Sequence, residues 1–151
     1  MNYIRCPVFF AKHCEFSLAG NTMRNARMRG LVVDDNPVNR QIAAKLLERL
    51  GFEVDVSACA QEALLRIYQE GYDVVLMDCQ MPDMDGMTAT RRLREQETRP
   101  DDHVFVVGVT AHASKEDCLK AGMDDHIEKP LTLGILQSVL SAHLPSIVTA
   151  E

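Results

Sequence analysis

The chain contains 151 residues, of which 46% are hydrophobic and 25% are charged, and its formal net charge is −6 at pH 7. These values are ordinary for a globular protein and are sufficient for one domain with its own core. Residues 1–29 hold five basic residues and one acidic residue, whereas residues 30–151 hold 11 basic and 21 acidic residues. Because this acidic part repels nucleic acid and has no basic stripe, we expect no direct nucleic-acid binding.

The cysteines and the apolar runs indicate the cellular compartment. The five cysteines are odd in number and form no CxxC pair, which is typical of reduced thiols rather than of a disulfide framework or a zinc site. No apolar run approaches the roughly 18 residues that a bilayer-spanning helix needs. We therefore predict a cytoplasmic protein with no membrane insertion by this chain.

Strand and helix signals alternate only from about residue 30 onwards, so we interpret residues 29–144 as one domain. Residues 1–28 are interpreted as a poorly ordered leader or linker, with an amphipathic docking arm as the alternative. Residues 145–151 are interpreted as a C-terminal tail.

The first strand, Leu31–Val33, is followed by Asn36 and Pro37, a capping residue and a proline that together predict a helix start. The helix ends at Gly51, and apolar residues recur in it every four positions, which predicts one buried stripe: Val38, Ile42, Leu46 and Leu50. Strict alternation over Phe52–Ser57 then predicts a half-buried strand towards a sheet edge.

The remaining strands are short and rich in valine, at Val74–Met77 and Val104–Val109, and a last strand runs to Lys129. Helices separate them, and one of these is opened by Ser114 and Asp117 in a pattern that resembles a capping box. Five strand-helix units joined by right-handed crossovers predict an α/β fold. Its sheet is parallel, five-stranded and doubly wound, with a helix layer on each face.

Four predicted strands end in polar residues: Asp34 and Asp35, Asp78, Thr110 and Lys129. Taken singly, the acids fit helix caps or strand-end turns. Ligands of open α/β sheets bind at the carboxyl ends of the strands, so we expect these side chains to converge there. Three carboxylates ~4 Å apart repel by ~4 kcal/mol per pair at an effective dielectric near 20, and Lys129 supplies only one counter-charge. Oxygen ligands suit Mg²⁺ as the source of the rest.

A carboxylate, a magnesium ion, a hydroxyl and a lysine are the groups required to transfer a phosphoryl group to an aspartate. The carboxylate attacks phosphorus as a nucleophile and becomes an acyl phosphate. The metal and the ammonium neutralise the charge on the phosphoryl oxygens. The sequence therefore predicts a phosphoryl acceptor.

Segments 31–36, 77–86, 109–111 and 128–130 resemble the receiver domain of two-component response regulators. The resemblance covers about residues 29–144 and is greatest to receivers of hybrid sensor histidine kinases. It implies a flavodoxin-like (β/α)5 fold with strand order 2-1-3-4-5. It also implies a histidine kinase or a histidine-phosphotransfer domain as the partner.

The resemblance assigns roles to the site residues. Asp78 is the phosphoacceptor; Asp34 and Asp35 hold Mg²⁺ together with Asp78, Asp35 directly, and Gln80 contributes its backbone carbonyl. The phosphoryl group is then bound by two further residues, Thr110 through a hydrogen bond and Lys129 through its charge.

The resemblance also implies a switch. The family usually has Tyr or Phe three residues before the lysine, where this chain has His126. Thr110 and His126 would rearrange on phosphorylation and alter the face formed by the fourth helix, the fifth strand and the fifth helix.

Two rival functions belong to other classes. An aspartate-nucleophile phosphatase would need a second Asp two residues after the nucleophile, where Gln80 stands. A degenerate receiver would act only as a constitutive binding module, although every acid, hydroxyl and lysine position is filled here. We therefore predict a signalling domain without a turnover substrate.

Overall fold

The computed structural model describes residues 27–144. The predicted leader lies outside the described residues except for its last two, and the predicted tail lies wholly outside them. The strands are β1 (Arg29–Val33), β2 (Glu53–Ser57), β3 (Val74–Asp78), β4 (Phe105–Thr110) and β5 (Asp125–Glu128). The helices are α1 (Pro37–Arg49), α2 (Ala60–Glu70), α3 (Gly86–Gln96), α4 (Lys115–Lys120) and α5 (Leu133–His143).

The five strands form one parallel sheet in the order β2-β1-β3-β4-β5, which confirms the predicted fold and strand order. The central strands β3 and β4 are buried along their whole length, as expected of strands covered on both faces. β2 lies at an edge of the sheet, as its alternating sequence predicts.

Neighbouring strand residues point to opposite faces, so the sheet divides the core into two layers. On one face the strands pack against α2, α3 and α4 through a cluster that includes Val33, Met77, Ile67, Leu93 and Cys118. On the other face they pack against α1 and α5 through a cluster that includes Val32, Leu76, Leu47, Leu136 and Leu140. No helix within residues 27–144 has both the length and the apolarity that crossing a bilayer requires.

The predicted buried stripe of α1 is wrong for its first two residues, whereas Leu46 and Leu50 are partly buried and pack against the core. Val38 is 62% exposed and Ile42 is 48% exposed, whereas the buried residues of this helix are Ala43 and Leu47. A spacing of four exceeds the 3.6 residues of a helical turn, so each repeat advances about 40° around the axis. Val38 and Ile42 therefore turn away from the core that Leu46 and Leu50 contact.

The predicted capping box of α4 forms only in part. The Asp117 backbone N–H donates to Ser114 Oγ at 3.1 Å, which is the expected cap. The Asp117 carboxylate, however, accepts from the Ser114 hydroxyl at 2.8 Å. Aspartate is one methylene shorter than the glutamate of a full capping box, so its carboxylate meets the hydroxyl of the cap residue.

The start of α1 yields a stability prediction. The Asn36 side chain accepts hydrogen bonds from the backbone N–H groups of Val38 at 2.9 Å and Asn39 at 3.3 Å. Asn36→Ala should lower the free energy of unfolding by about 1 kcal/mol. The melting temperature should fall by roughly 4 °C, measured by circular dichroism. Asn36→Ser keeps a capping oxygen and should lose much less; equal losses in the two variants would contradict the cap's contribution.

Candidate functional site

The carboxyl ends of four strands bring the predicted site residues together. Asp34 follows β1, Asp78 ends β3, Thr110 ends β4, and Lys129 follows β5. Carboxylate oxygens of Asp34, Asp35 and Asp78 all lie within 4.8 Å of one another. The chain passes from β1 outwards to β2 and then returns to β3 on the other side of β1, so the acids at the ends of β1 and β3 lie where the strand order reverses.

Lys129 lies between the two buried carboxylates. Its Nζ is 3.3 Å from Asp34 Oδ2 and 3.4 Å from Asp78 Oδ1. Asp34 and Asp78 are only 6% and 5% exposed, whereas Asp35 is exposed. One ammonium thus faces two carboxylates that are largely shielded from water, and a third stands at the opening.

Backbone hydrogen bonds hold both buried carboxylates in place. Asp34 Oδ1 accepts from the Asn36 N–H at 2.8 Å, and Asp78 Oδ1 accepts from the Gln80 N–H at 3.1 Å. Each bond joins a carboxylate to the residue two positions later, so the strand end and the following loop fix its orientation. The side chain of Gln80 is exposed.

The pKa values in the site reflect burial and crowding. Burial raises the pKa of Asp78, and the charge of Asp34 raises it further, against the opposing effects of the Gln80 N–H and Lys129. Burial alone would lower the pKa of Lys129, but the charges of Asp78 and Asp34 outweigh burial and hold it above its ordinary value. Lys129 is therefore a permanent cation at neutral pH.

The donor set fits a hard divalent cation. The three clustered side chains offer only carboxylate oxygens, which are the ligands that Mg²⁺ prefers over soft metals. Lys129 balances one of three negative charges, so a divalent cation would complete the neutralisation. The residues present can therefore hold Mg²⁺.

Thr110 and His112 form a turn beside the acids. The fully buried Thr110 accepts hydrogen bonds at Oγ1 from the backbone N–H groups of His112 at 3.1 Å and Ala113 at 2.9 Å. The Lys129 backbone N–H donates to the Thr110 carbonyl at 2.8 Å, which ties the two strand ends together. His112 itself is exposed.

His126 lies in β5, beside Gly108 of β4 in the sheet register. It is half-buried, and its backbone N–H donates to Asp125 Oδ1 at 2.8 Å. It is thus on the strand that carries Lys129, three residues before the lysine.

Sequence reasoning missed two residues that shape the site. The Arg40 guanidinium donates to the Asp34 carbonyl at 2.7 Å, one helical turn after the Asn36 cap. A Cβ on Gly86 would lie 2.1 Å from the Asp78 carbonyl oxygen, so only glycine lets α3 begin this close to β3. The position of Gly86 after an aspartate-rich loop was the available signal, but its role depends on the approach of two distant segments.

A cleft of about 340 Å³ adjoins the acids. Asp34, Asp78 and Lys129 lie at its polar end. Its other walls are largely apolar and come from three strands, α1 and the segment after Lys129: Val32, Leu76, Val109, Ile42, Pro130 and Leu131. The cleft therefore combines charged groups, from the two acids and Lys129, with largely apolar walls.

Comparison with known proteins agrees with this geometry. Residues 31–141 match the family model described as the response regulator receiver domain. The chain is 40% identical over 120 residues to hybrid signal transduction histidine kinase L of Dictyostelium discoideum, an alignment that spans 75% of this chain and 7% of the kinase. It is 42% identical over 123 residues to two-component response regulator 24 of Arabidopsis thaliana, spanning 78% of this chain and 85% of that protein.

Two solved structures give the same result for the fold. The receiver domain of a sensor histidine kinase from Pseudomonas aeruginosa PAO1 has a TM-score of 0.69 and 38% identity, and the match covers 78% of this chain and 97% of that one. That structure contains a magnesium ion coordinated in its active-site cleft. A receiver domain protein from Methanospirillum hungatei has a TM-score of 0.71 and 29% identity, covering 83% of this chain and all of that one. With its parallel sheet, its acidic cluster and these matches, the chain belongs to the response regulator receiver domain family of two-component systems.

Proposed function

We propose that this receiver domain takes a phosphoryl group from a phosphohistidine onto Asp78 as one step of a phosphorelay. The observation that carries the proposal is the contact of one ammonium, Lys129 Nζ, with the carboxylates of both Asp34 and Asp78. A carboxylate held beside a fixed cation is a nucleophile whose phosphorylated product that cation helps to neutralise.

In the proposed transfer, Asp78 Oδ attacks phosphorus while the bond from phosphorus to the imidazole nitrogen breaks. The imidazole leaves and Asp78 becomes an acyl phosphate. Lys129 pairs with the phosphoryl oxygens, and the Thr110 hydroxyl donates a hydrogen bond to one of them. The two N–H groups that bind Thr110 Oγ1 occupy its lone pairs and leave its proton for an acceptor.

We assign Asp34, Asp35 and Asp78, with the backbone carbonyl of Gln80, as the ligands of Mg²⁺. When bound, Mg²⁺ supplies positive charge to the transferring phosphoryl group. The relative from Pseudomonas aeruginosa supports this assignment, since its structure contains magnesium in the corresponding cleft.

We further propose that Thr110 and His126 form the switch and that the α4-β5-α5 face transmits the signal. Thr110 ends β4 and His126 lies on the neighbouring β5, two residues before the partner of Thr110 in the register, so the two are close enough along the sheet for their movements to be coupled. Histidine replaces the larger aromatic ring usual in the family, and it fits the same position on β5 with a smaller side chain.

The donor of the phosphoryl group is proposed to be a histidine kinase or a histidine-phosphotransfer domain. The similarity to hybrid kinases supports such a partner. The chain spans only 6–12% of the length of three such hybrid and sensor histidine kinases. The exposed apolar residues Val38 and Ile42 lie on α1, whose cap residue Asn36 bonds directly to Asp34. This apolar surface beside the acids suits a protein donor that must approach Asp78.

The rival functions are less well supported. A phosphatase needs a general acid two residues after the nucleophile, and the exposed amide of Gln80 cannot release a proton. A constitutive binding module would have no use for a buried acid pair around a lysine.

Intact mass spectrometry tests the central assignment. Acetyl phosphate with Mg²⁺ should add one phosphoryl group to the acid-quenched protein, EDTA should suppress it, and Asp78→Asn should abolish it. Asp35→Asn keeps the nucleophile and should be labelled more slowly, because it loses one metal ligand. Continuous release of phosphate at enzymatic rates would support the phosphatase, and no adduct at all would support the binding module.

Thermal unfolding in EDTA tests the electrostatic strain. The pKa of Asp78 is raised in the fold, so its charge opposes folding fully above that raised pKa and ceases to do so below the ordinary value of 3.8. Asp78→Asn should therefore melt a few degrees above wild type at neutral pH, and the difference should disappear in acid. Mg²⁺ should stabilise wild type more than this variant by mass action.

The exposed acid Asp35 provides the matched control, since Asp35→Asn removes the same charge from a solvated position. Its melting temperature should change less than that of Asp78→Asn. Identical melting curves for wild type and Asp78→Asn at every pH would show that the pocket carries no strain.

Transfer kinetics test the docking surface on α1. Val38→Ser should slow transfer from a phosphorylated histidine-phosphotransfer domain by roughly five- to tenfold, the effect of losing about 1 kcal/mol of contact. Labelling by acetyl phosphate should stay unchanged, because that donor is too small to need the surface. Leu65→Ser removes a residue of similar exposure, 55%, from α2 and should leave both rates unchanged. Equal slowing by both substitutions would contradict docking on α1.

A further inference from the structure

Two buried thiols meet behind the phosphoacceptor. Cys79 Sγ and Cys118 Sγ are 3.6 Å apart, and the residues are 1% and 0% exposed. Cys79 follows Asp78 directly, whereas Cys118 belongs to α4. The contact thus connects the end of β3 to a helix of the proposed signalling face, across 39 positions of sequence.

Gly108 creates the space in which the sulfurs meet. A Cβ at this position of β4 would lie 3.3 Å from both Sγ atoms and 2.5 Å from the Met123 sulfur. A side chain here would push the thiols apart. The missing side chain therefore lets the two sulfurs approach over the strand.

The cysteine pair contributes to the attachment of α4 to the core. Cys118 is the one buried residue among the six residues of α4 that the structure describes. Its side chain is thus the part of this short helix that enters the core cluster. A disulfide needs the sulfurs to approach from 3.6 Å to about 2.0 Å, so its formation requires α4 to move relative to the end of β3.

We propose that Cys79 and Cys118 are a redox modification site, at which a peroxide converts the two thiols into an intramolecular disulfide that tethers α4 to the residue after the phosphoacceptor. The proposal goes beyond the proposed phosphotransfer function and does not depend on it.

The chemistry balances with hydrogen peroxide as the oxidant. Once α4 has opened and one thiol has lost its proton to water, its thiolate attacks a peroxide oxygen, and the O–O bond breaks to give a sulfenic acid and, after proton uptake, water. The second thiolate attacks that sulfur, the S–S bond forms, and the leaving hydroxide takes a proton to become a second water. The two sulfurs together lose two electrons, and the two peroxide oxygens gain them.

Burial of the two sulfurs limits the rate of this reaction. Both sulfurs are closed off from solvent, so peroxide reaches them only when α4 opens from the sheet. Disulfide formation should therefore be slower than oxidation of the partly exposed Cys59. Once formed, the bond should hold α4 in place until a reductant breaks it.

Peptide mapping of the full chain tests the proposal, because trypsin places each of the five cysteines in a different peptide. The reduced protein is treated with hydrogen peroxide, its remaining thiols are alkylated, and it is digested without reductant. We expect peptide 67–91, which contains Cys79, linked to peptide 116–120, which contains Cys118. Dithiothreitol should separate them, and the linked form should lack two hydrogen atoms.

Two variants serve as controls. Cys118→Ala should remove the linked peptide, whereas Cys59→Ser should keep it. The oxidised wild type should also melt at a higher temperature than its reduced form, and Cys118→Ala should show no such peroxide-dependent rise, because a cross-link restricts the unfolded chain.

The proposal is overturned if peptides 67–91 and 116–120 both carry alkylated thiols after peroxide treatment of the folded protein. It is equally overturned if the link forms only in urea, or if either cysteine pairs instead with Cys59. The measurements detect thiol chemistry alone, so their outcome is independent of whether Asp78 accepts a phosphoryl group.

Discussion

Repulsion among the carboxylates at the end of the sheet is the constraint on which the rest of the site depends. Asp34 and Asp78 are nearly buried, and Asp35 stands at the opening. Water screens the buried pair poorly, so the charge must be balanced by groups that the fold supplies. Lys129 supplies one positive charge by contacting both buried carboxylates, and the negative charges of these carboxylates raise its pKa. The negative charge that remains is the physical reason why these residues can hold a divalent cation, as the proposed phosphotransfer requires.

The sheet keeps these charges together against their repulsion. β1, β3 and β4 are adjacent parallel strands, so their last residues are fixed by backbone hydrogen bonds rather than by side-chain packing. N–H groups from the following loops then orient the carboxylates of Asp34 and Asp78. Gly86 allows α3 to start against the Asp78 carbonyl, and a larger residue there would displace the backbone of Asp78, the proposed phosphoacceptor. Many of the groups that support the site are therefore backbone groups.

The two faces of the sheet give the site two different surroundings. On the face of α1 and α5, an apolar cleft and the exposed residues Val38 and Ile42 lie beside the acids. On the opposite face, α4 is short and has one buried residue, Cys118. The proposed docking surface and the proposed signalling helix therefore lie on opposite faces of the sheet.

Much of this protein follows from its sequence. Short valine-rich runs indicate buried strands, and polar residues at their ends share one edge of a parallel sheet, so the fold class and the clustering of Asp34, Asp35, Asp78 and Lys129 were predictable. The strand order followed only from the resemblance to receiver domains. Local periodicity failed for α1, because a spacing of four does not identify the face that meets the sheet. Local sequence periodicity also does not predict contacts between distant segments. Arg94 donates to the carbonyls of Gly122 and Val104, and Cys79 contacts Cys118. The sequence determined the elements and their chemistry, while only the tertiary structure decided which side chains touch, because those contacts depend on how the helices pack across the sheet.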